Sequence, residues 1–203
     1  MPTPTGLWLT VLHLAAPAAP DAHDLHAATE ALWDGLPWPP GARPLWSQPR
    51  PDTIVVQGPA PLTHTAPAGW ALTAHSIPVT IPPAGARISL SLIANPTRVT
   101  TLTTPEGAER KPRHALPETD WAAWLTRHLQ PALDLTGRIG HRKLPAARGH
   151  HHGRAGTVTH ARAMFHATAT VTDPERLAAL TAAGVGHGKA YGCGLLLIRQ
   201  VPA

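Results

Sequence analysis

The sequence predicts an α+β fold in which one unit, strand–helix–strand–strand–(helix)–strand, occurs twice. Three observations carry this expectation. Apolar runs of strand length alternate with polar turns, helix start and stop signals fall between them, and the pattern restarts after Pro82-Pro83-Ala84-Gly85. That order is the split βαβ, or ferredoxin-like (RRM-like), arrangement. Two such domains in tandem, expected at 1–83 and 86–203, account for the 203 residues.

In the first unit, residues 6–14 form a continuous apolar run that reads as a buried strand. Asp21 and Asp24 mark a helix start, and Gly35 closes that helix after Asp34. Leu25, Ala28, Leu32 and Leu36 recur at the spacing of a buried face, with His26 on its border and His23 on the polar side. Residues 43–48 and 53–58 read as a hairpin, 59–69 as loop, and 70–81 as a weak fourth strand. In the second unit, 87–94 alternate as a half-buried strand, and a basic loop follows through Lys111 and Arg113. A helix over 117–130 sets Trp121, Trp124, Leu125 and Leu129 on one face and stops at Pro131. Strands at 134–144 and 156–171 flank a Gly/His-rich tip. Asp173-Pro174-Glu175 combines an N-cap, a proline in the first turn and an early acid, so a helix starts there and ends at Gly184. The last strand is expected at 193–200.

Composition narrows the function classes. The chain is 43% hydrophobic, which is enough for a core, and its single Cys193 excludes an internal disulfide framework. No run approaches the roughly 20 apolar residues of a membrane span. Met1-Pro2-Thr3-Pro4 lacks a basic leader region, and the expectation is a soluble cytoplasmic protein without a membrane partner. Charge is uneven. Residues 1–97 carry net −2 and residues 98–203 carry net +7, and from Arg138 to Thr172 six Lys/Arg and six His occur without one acidic residue. A basic half of this kind points to a polyanion, in particular nucleic acid. With one Phe and one Tyr, base stacking on a sheet face is not the expected binding mode.

Five glycines crowd Gly184-Val185-Gly186-His187-Gly188-Lys189-Ala190-Tyr191-Gly192-Cys193-Gly194. The segment follows a helix and precedes a strand, the reverse of the phosphate-binding loops, and Ala190 stands where a Walker loop needs Ser or Thr. A nucleotide cofactor is therefore not expected, and no other cofactor is implied. Glycine instead permits positive φ and close approach of another group.

Several of these segments resemble the CasE family, the repeat-RNA endoribonucleases of type I-E CRISPR systems. The matching pieces are Asp21-Ala22-His23-Asp24-Leu25-His26, Leu92-Ile93-Ala94-Asn95-Pro96-Thr97, Trp121-Ala122-Ala123-Trp124-Leu125, and Val171-Thr172-Asp173-Pro174 continuing through the glycine segment to Leu196. The resemblance implies two ferredoxin-like domains and metal-independent cleavage of a CRISPR repeat stem-loop. It also implies that the protein stays on the guide RNA with the other subunits of Cascade. By motif position His26 is the catalytic histidine. His23 stands where the family has a tyrosine, and Ala27 where it often has an arginine. These two departures leave open a non-catalytic RNA-binding subunit of the same fold.

Histidine suits metal-free cleavage because its ordinary pKa is about 6.5. His26 is the expected acid or base, and His23, three residues away on one helix, its expected partner. Arg138, Arg142, Lys143, Arg148, Arg154 and Arg162 on the second-half hairpin, with Lys111 and Arg113, are the expected phosphate contacts. Gly186, Gly188 and Lys189 are expected to pass close to RNA or to the first helix. His187 is within the same reach. His150-His151-His152 lacks the ligand spacing of a metal site, so none is expected.

Overall fold

The computed structural model describes residues 1–14, 22–62, 70–72, 76–103, 108–130, 132–150 and 157–202. The first half consists of β1 (Thr3–Leu14), α1 (Ala22–Ala31), β2 (Leu45–Arg50), β3 (Thr53–Gly58), β4 (Trp70–Leu72) and β5 (Ile77–Ile81). The second holds β6 (Arg87–Ala94), the short strands β7 (Thr97–Val99), β8 (Leu102–Thr103), β9 (Glu109–Arg110) and β10 (Arg113–Ala115), then α2 (Trp121–Leu129), β11 (Leu133–His150), β12 (Thr157–Val171), α3 (Pro174–Ala183) and β13 (Leu196–Gln200).

Each half builds one antiparallel sheet. In the first the order is β2-β3-β1, and the far side of β1 is filled by β4 against Leu12–Leu14 and by β5 against Thr3–Leu9. In the second the order is β11-β12-β6-β13. Numbered within each half, both sheets run second–third–first–fourth, which is the ferredoxin-like order. The expected strand at 70–81 is thus two short pieces. The stretch from 97 to 115, read as loop, contributes two small ladders, β7 with β10 and β8 with β9.

Burial explains the layers. Ile88, Leu90, Leu92 and Ala94 of β6 alternate toward Trp124, Leu125 and Leu129 of α2, Leu177 of α3, and Phe165 of β12. In the first half, Leu12, Ile54, Val56 and Trp46 cover Leu25 of α1 and Trp33. The opposite face of the first sheet meets the second half where Leu45 and Val55 cluster with Leu195, just before β13, and with Leu197 of β13, and buried Gln57 donates from Nε2 to the Thr181 carbonyl of α3 at 3.2 Å. The two halves therefore share apolar and polar contacts rather than hanging on a linker.

The second-half hairpin is longer than the sheet it belongs to. β11 continues to His150, with bulges between Thr136 and Gly140 and between Leu144 and Ala147. Its outer part leaves the second sheet and packs Ala147 and Val158 into the cluster beneath α1. Asp173 caps α3 as expected, accepting from the Arg176 amide at 3.0 Å. The expected cap Asp21, Arg154, and His151 and His152 of the hairpin tip lie outside the described residues.

Candidate functional site

Three segments distant in sequence meet where α1, the outer hairpin and the glycine segment converge. The glycine segment is bent by positive φ at Gly184, Gly186, Gly188, Gly192 and Gly194. Between them Lys189–Tyr191 forms one 3-10 turn, and Tyr191 is buried in the cluster that holds Leu25 of α1. The segment is pinned to its own half by Gly194, whose amide donates to the Ile93 carbonyl at 2.7 Å. These ties hold Cys193–Leu195 outside the last strand, which starts at Leu196 rather than 193.

Gly186, His187 and Lys189 line two adjoining recesses. One, of about 250 Å³, adds Arg43, His160 and Tyr191. The other, of about 380 Å³, adds Thr97, Arg113, Trp124 and His128. The His160 ring lies 4.2 Å from that of Tyr191 and 5.7 Å from that of His187. Asn95 holds both histidines. Its Nδ2 donates to His160 Nδ1 at 2.9 Å, and its backbone bridges to His187.

His26 stands on the α1 side, with its side chain 18% exposed and Nε2 3.4 Å from Glu30 Oε1. Its Nδ1 is buried and has no hydrogen-bond partner among the described residues. Burial holds the His26 pKa below its ordinary value. Glu30 opposes that shift, and Arg43 and His23 add to it. Lys189 is also lowered, by burial and then by Arg43. Arg43 therefore links the helix histidine to the glycine segment. Lys189 folds back so that Nζ donates to the Gly186 carbonyl at 2.7 Å, which leaves its other two donors for a ligand. Burial lowers His160, assisted by His187, and it lowers His187, assisted by Arg113 and Lys189. Three imidazoles are thus kept neutral near pH 7 amid Arg43, Arg113 and Lys189. Neutral imidazoles beside fixed cations can accept a proton and bind a phosphate. The buried Cys193 thiol is pushed up to about 12 by desolvation, which removes it as a nucleophile.

Of the residues expected from sequence, the structure brings His26, His23, Gly186, Gly188, Lys189 and Arg113 to this junction. Lys111 sits apart, paired with Glu109 at 3.5 Å. Lys143 and Arg148 are exposed along β11. Arg138, Arg142 and Arg162 lie around two other recesses on the outer face of the second sheet. Arg43 and His160 were not singled out in the sequence. Neither sits in a motif, and only the fold carries them to His26 and His187. The weak available signal was position: His160 follows the His-rich tip, and Arg43 is one of three arginines in an otherwise acidic first half.

Twin ferredoxin-like sheets with a histidine-bearing first helix against a glycine segment define a two-domain α+β protein built to present basic and imidazole groups at a domain junction. The model of the CRISPR associated protein family matches residues 7–200, and the chain belongs to that family. Among solved structures it is similar to the CRISPR-associated protein Cas6e from Escherichia coli K-12, at 20% identity and a TM-score of 0.74, covering 96% of this chain and 100% of that one. It is also similar to Thermus thermophilus Cse3 bound to an RNA representing a pre-cleavage complex, at 27% identity and a TM-score of 0.62, covering 95% and 98%. A chain of a CRISPR RNA-guided surveillance complex matches at 19% identity and a TM-score of 0.66, covering 96% and 100%. A search of curated proteins finds no match.

Proposed function

We propose that this protein is an endoribonuclease that cuts CRISPR precursor RNA at its repeat stem-loop without a metal ion, and that it stays bound to the guide RNA as a Cascade subunit. The observation that supports this most directly is the position of His26. It lies on the first helix, which packs on the glycine segment that carries Lys189, its pKa is held down by burial, and Arg43 acts on both His26 and Lys189. The RNA-bound Cse3 structures and the surveillance-complex chain share this fold.

The chemistry follows from the groups present. The substrate 2′-hydroxyl gives its proton to a neutral imidazole, and its oxygen attacks the adjacent phosphorus. The bond from phosphorus to the 5′-oxygen breaks, and that oxygen leaves with a proton from an acid. The products are a 2′,3′-cyclic phosphate and a 5′-hydroxyl, so atoms and charge balance. His26 is the proton-transfer group, and His23, one turn away, is its candidate partner. Arg43 and Lys189 offset charge that builds on the phosphate. Fixing the stem across the junction supplies the in-line geometry.

The test is a cleavage assay on a CRISPR-repeat hairpin, with and without EDTA, beside His26→Ala. Cleavage that survives EDTA, vanishes in His26→Ala and stops when the scissile 2′-hydroxyl is replaced by hydrogen supports the reading. Loss in EDTA overturns the metal-free mechanism. Tight binding without cleavage selects the non-catalytic subunit that the His23 and Ala27 departures leave open.

A further inference from the structure

We propose a second RNA-binding surface: the outer face of the second sheet, together with the tip of the β2–β3 hairpin, holds the single-stranded RNA that flanks the stem. This rests on the RNA-processing reading and adds a grip separate from the histidine junction.

Strand register assembles the surface. Gly140, His166, Ser91 and Leu197 form one row across the sheet, and Thr136, Thr168, Ser89 and Arg199 form the next. With Arg138, which rises from the β11 bulge, these rows apart from Thr136 line a trough of about 570 Å³. Beyond it a second recess, of about 300 Å³, lies between Arg50 at the β2 end and Arg142 and Arg162 on the long hairpin. Arg142 leans on Met164 Sδ at 3.4 Å, and Arg162 donates from Nε to the Pro145 carbonyl at 2.9 Å.

The charge of the surface is in excess. Five arginines line these two recesses, no carboxylate does, and among the described residues none of the five is ion-paired with Asp or Glu. Two acids stand close by: Asp134, one row past the trough opposite Thr170, and Asp52 in the β2–β3 turn, which accepts from Thr53 Oγ1 at 3.0 Å. Clustered guanidinium groups with no partner favour a polyanion. The trough has the volume of a ligand pocket, which fits a single strand better than the breadth of an A-form helix, and a single strand is the occupant assigned. Its floor is low and small, with Ser89, Ser91, Gly140 and Ala167. The hydroxyls suit sugar and phosphate, and His166 offers one ring for a base. The surface is separated from the junction by the buried Met164 cluster. On β12, His160 and His166 point to the same side, six residues or about 20 Å apart.

The experiment measures the affinity of three RNAs by anisotropy: a repeat hairpin, the hairpin with an unstructured uridine-rich 5′ flank, and the hairpin with the same flank at its 3′ end. Wild type and Arg50→Ala/Arg199→Ala are compared, with Arg199→Glu as a stronger perturbation and unfolding midpoints as the folding control. One flank is expected to tighten binding about tenfold. The double variant should erase that gain, flatten the salt dependence on flanked RNA by about 1.4 in log–log slope (two single-strand contacts), and leave hairpin binding and cleavage unchanged. No gain from either flank overturns the proposal, as does a gain that the variants retain or an equal loss on the bare hairpin. Failure to bind or cut the hairpin at all instead overturns the RNA-processing reading, and this proposal falls with it.

Discussion

Asn95, one residue past the end of β6, donates from Nδ2 to Nδ1 of His160 on β12 at 2.9 Å. Asn95 is 4% exposed. An imidazole that accepts at Nδ1 carries its proton on Nε2, so one buried amide sets the tautomer of a histidine at the junction. Asn95→Ala should leave that nitrogen unpaired. The His160 ¹⁵N signals are expected to change from one tautomer to a mixture, and urea unfolding should show a loss of about 1 kcal/mol. Hairpin cleavage should slow more than hairpin binding. An unchanged tautomer would show that Asn95 does not orient the ring.

Stability should fall on the acid side of neutrality. His26, His160 and His187 all have pKa values held below the ordinary 6.5, chiefly by burial. The unfolded chain binds protons at these positions where the folded chain does not. Their contribution is therefore complete above about pH 6.5 and is lost as the pH drops through the folded values. Urea midpoints measured from pH 8 to pH 5 should be level and then decline. A triple His→Gln variant should decline less, and an identical profile would refute the assignment.

Glu30 and Arg43 should move His26 in opposite directions. Burial sets the main shift, Glu30 opposes it from 3.4 Å, and Arg43 reinforces it. Glu30→Gln is expected to lower the His26 pKa further, and Arg43→Ala to raise it. Both are read from the ring C–H signals in an NMR titration. The limb of the cleavage profile that His26 governs, the acid limb for a base or the alkaline limb for an acid, should follow the same two directions. Arg43→Ala should in addition raise Lys189. Shifts of the same sign in the two variants would rule out this arrangement of charges.

The sequence showed the repeated unit because strands and helices here obey local rules. The alternation of Ile88, Leu90 and Leu92 and the Asp173-Pro174 cap each reappear where the pattern placed them. The ladders between Thr97 and Ala115 were not legible, since short polar strands with exposed faces carry no period. The site was legible in part. His26 and the glycine segment sit in motifs, and the hydrophobic period put His26 at the border of a buried face. Arg43 and His160 became visible only through tertiary packing. Ala147 and Val158 draw the outer hairpin under α1, and no local pattern signals that contact. The same holds for Arg138, Arg142 and Arg162. Spacing along a hairpin gives the charge but not the face: the bulges in β11 set it for Arg138 and Arg142, and the pairing of β12 with β6 sets it for Arg162.

Gly186 and Gly188 look equivalent in the sequence but should respond differently to alanine. Both have positive φ, +76° and +81°, which costs a residue with a Cβ about 1–2 kcal/mol. A Cβ at Gly186 would also stand 2.9 Å from Cζ2 of Trp124. Trp124 is a buried core side chain of α2, 2% exposed, and has little room to retreat. At Gly188 the nearest atom is Asn95 Cβ at 3.5 Å, an ordinary contact. Gly186→Ala should therefore lose the backbone cost plus an overpacking cost of about 1–3 kcal/mol, whereas Gly188→Ala should lose the backbone cost alone. Thermal and urea unfolding give the ordering. Gly188→Ala is then the variant with which to probe the recess, because it stays folded while a methyl group is added beside Asn95 and Cys193. Its hairpin affinity should fall while its unfolding transition stays cooperative. Equal destabilisation of the two variants would mean that α2 yields to a methyl group at 186, and the close approach to Trp124 would then not account for the glycine there.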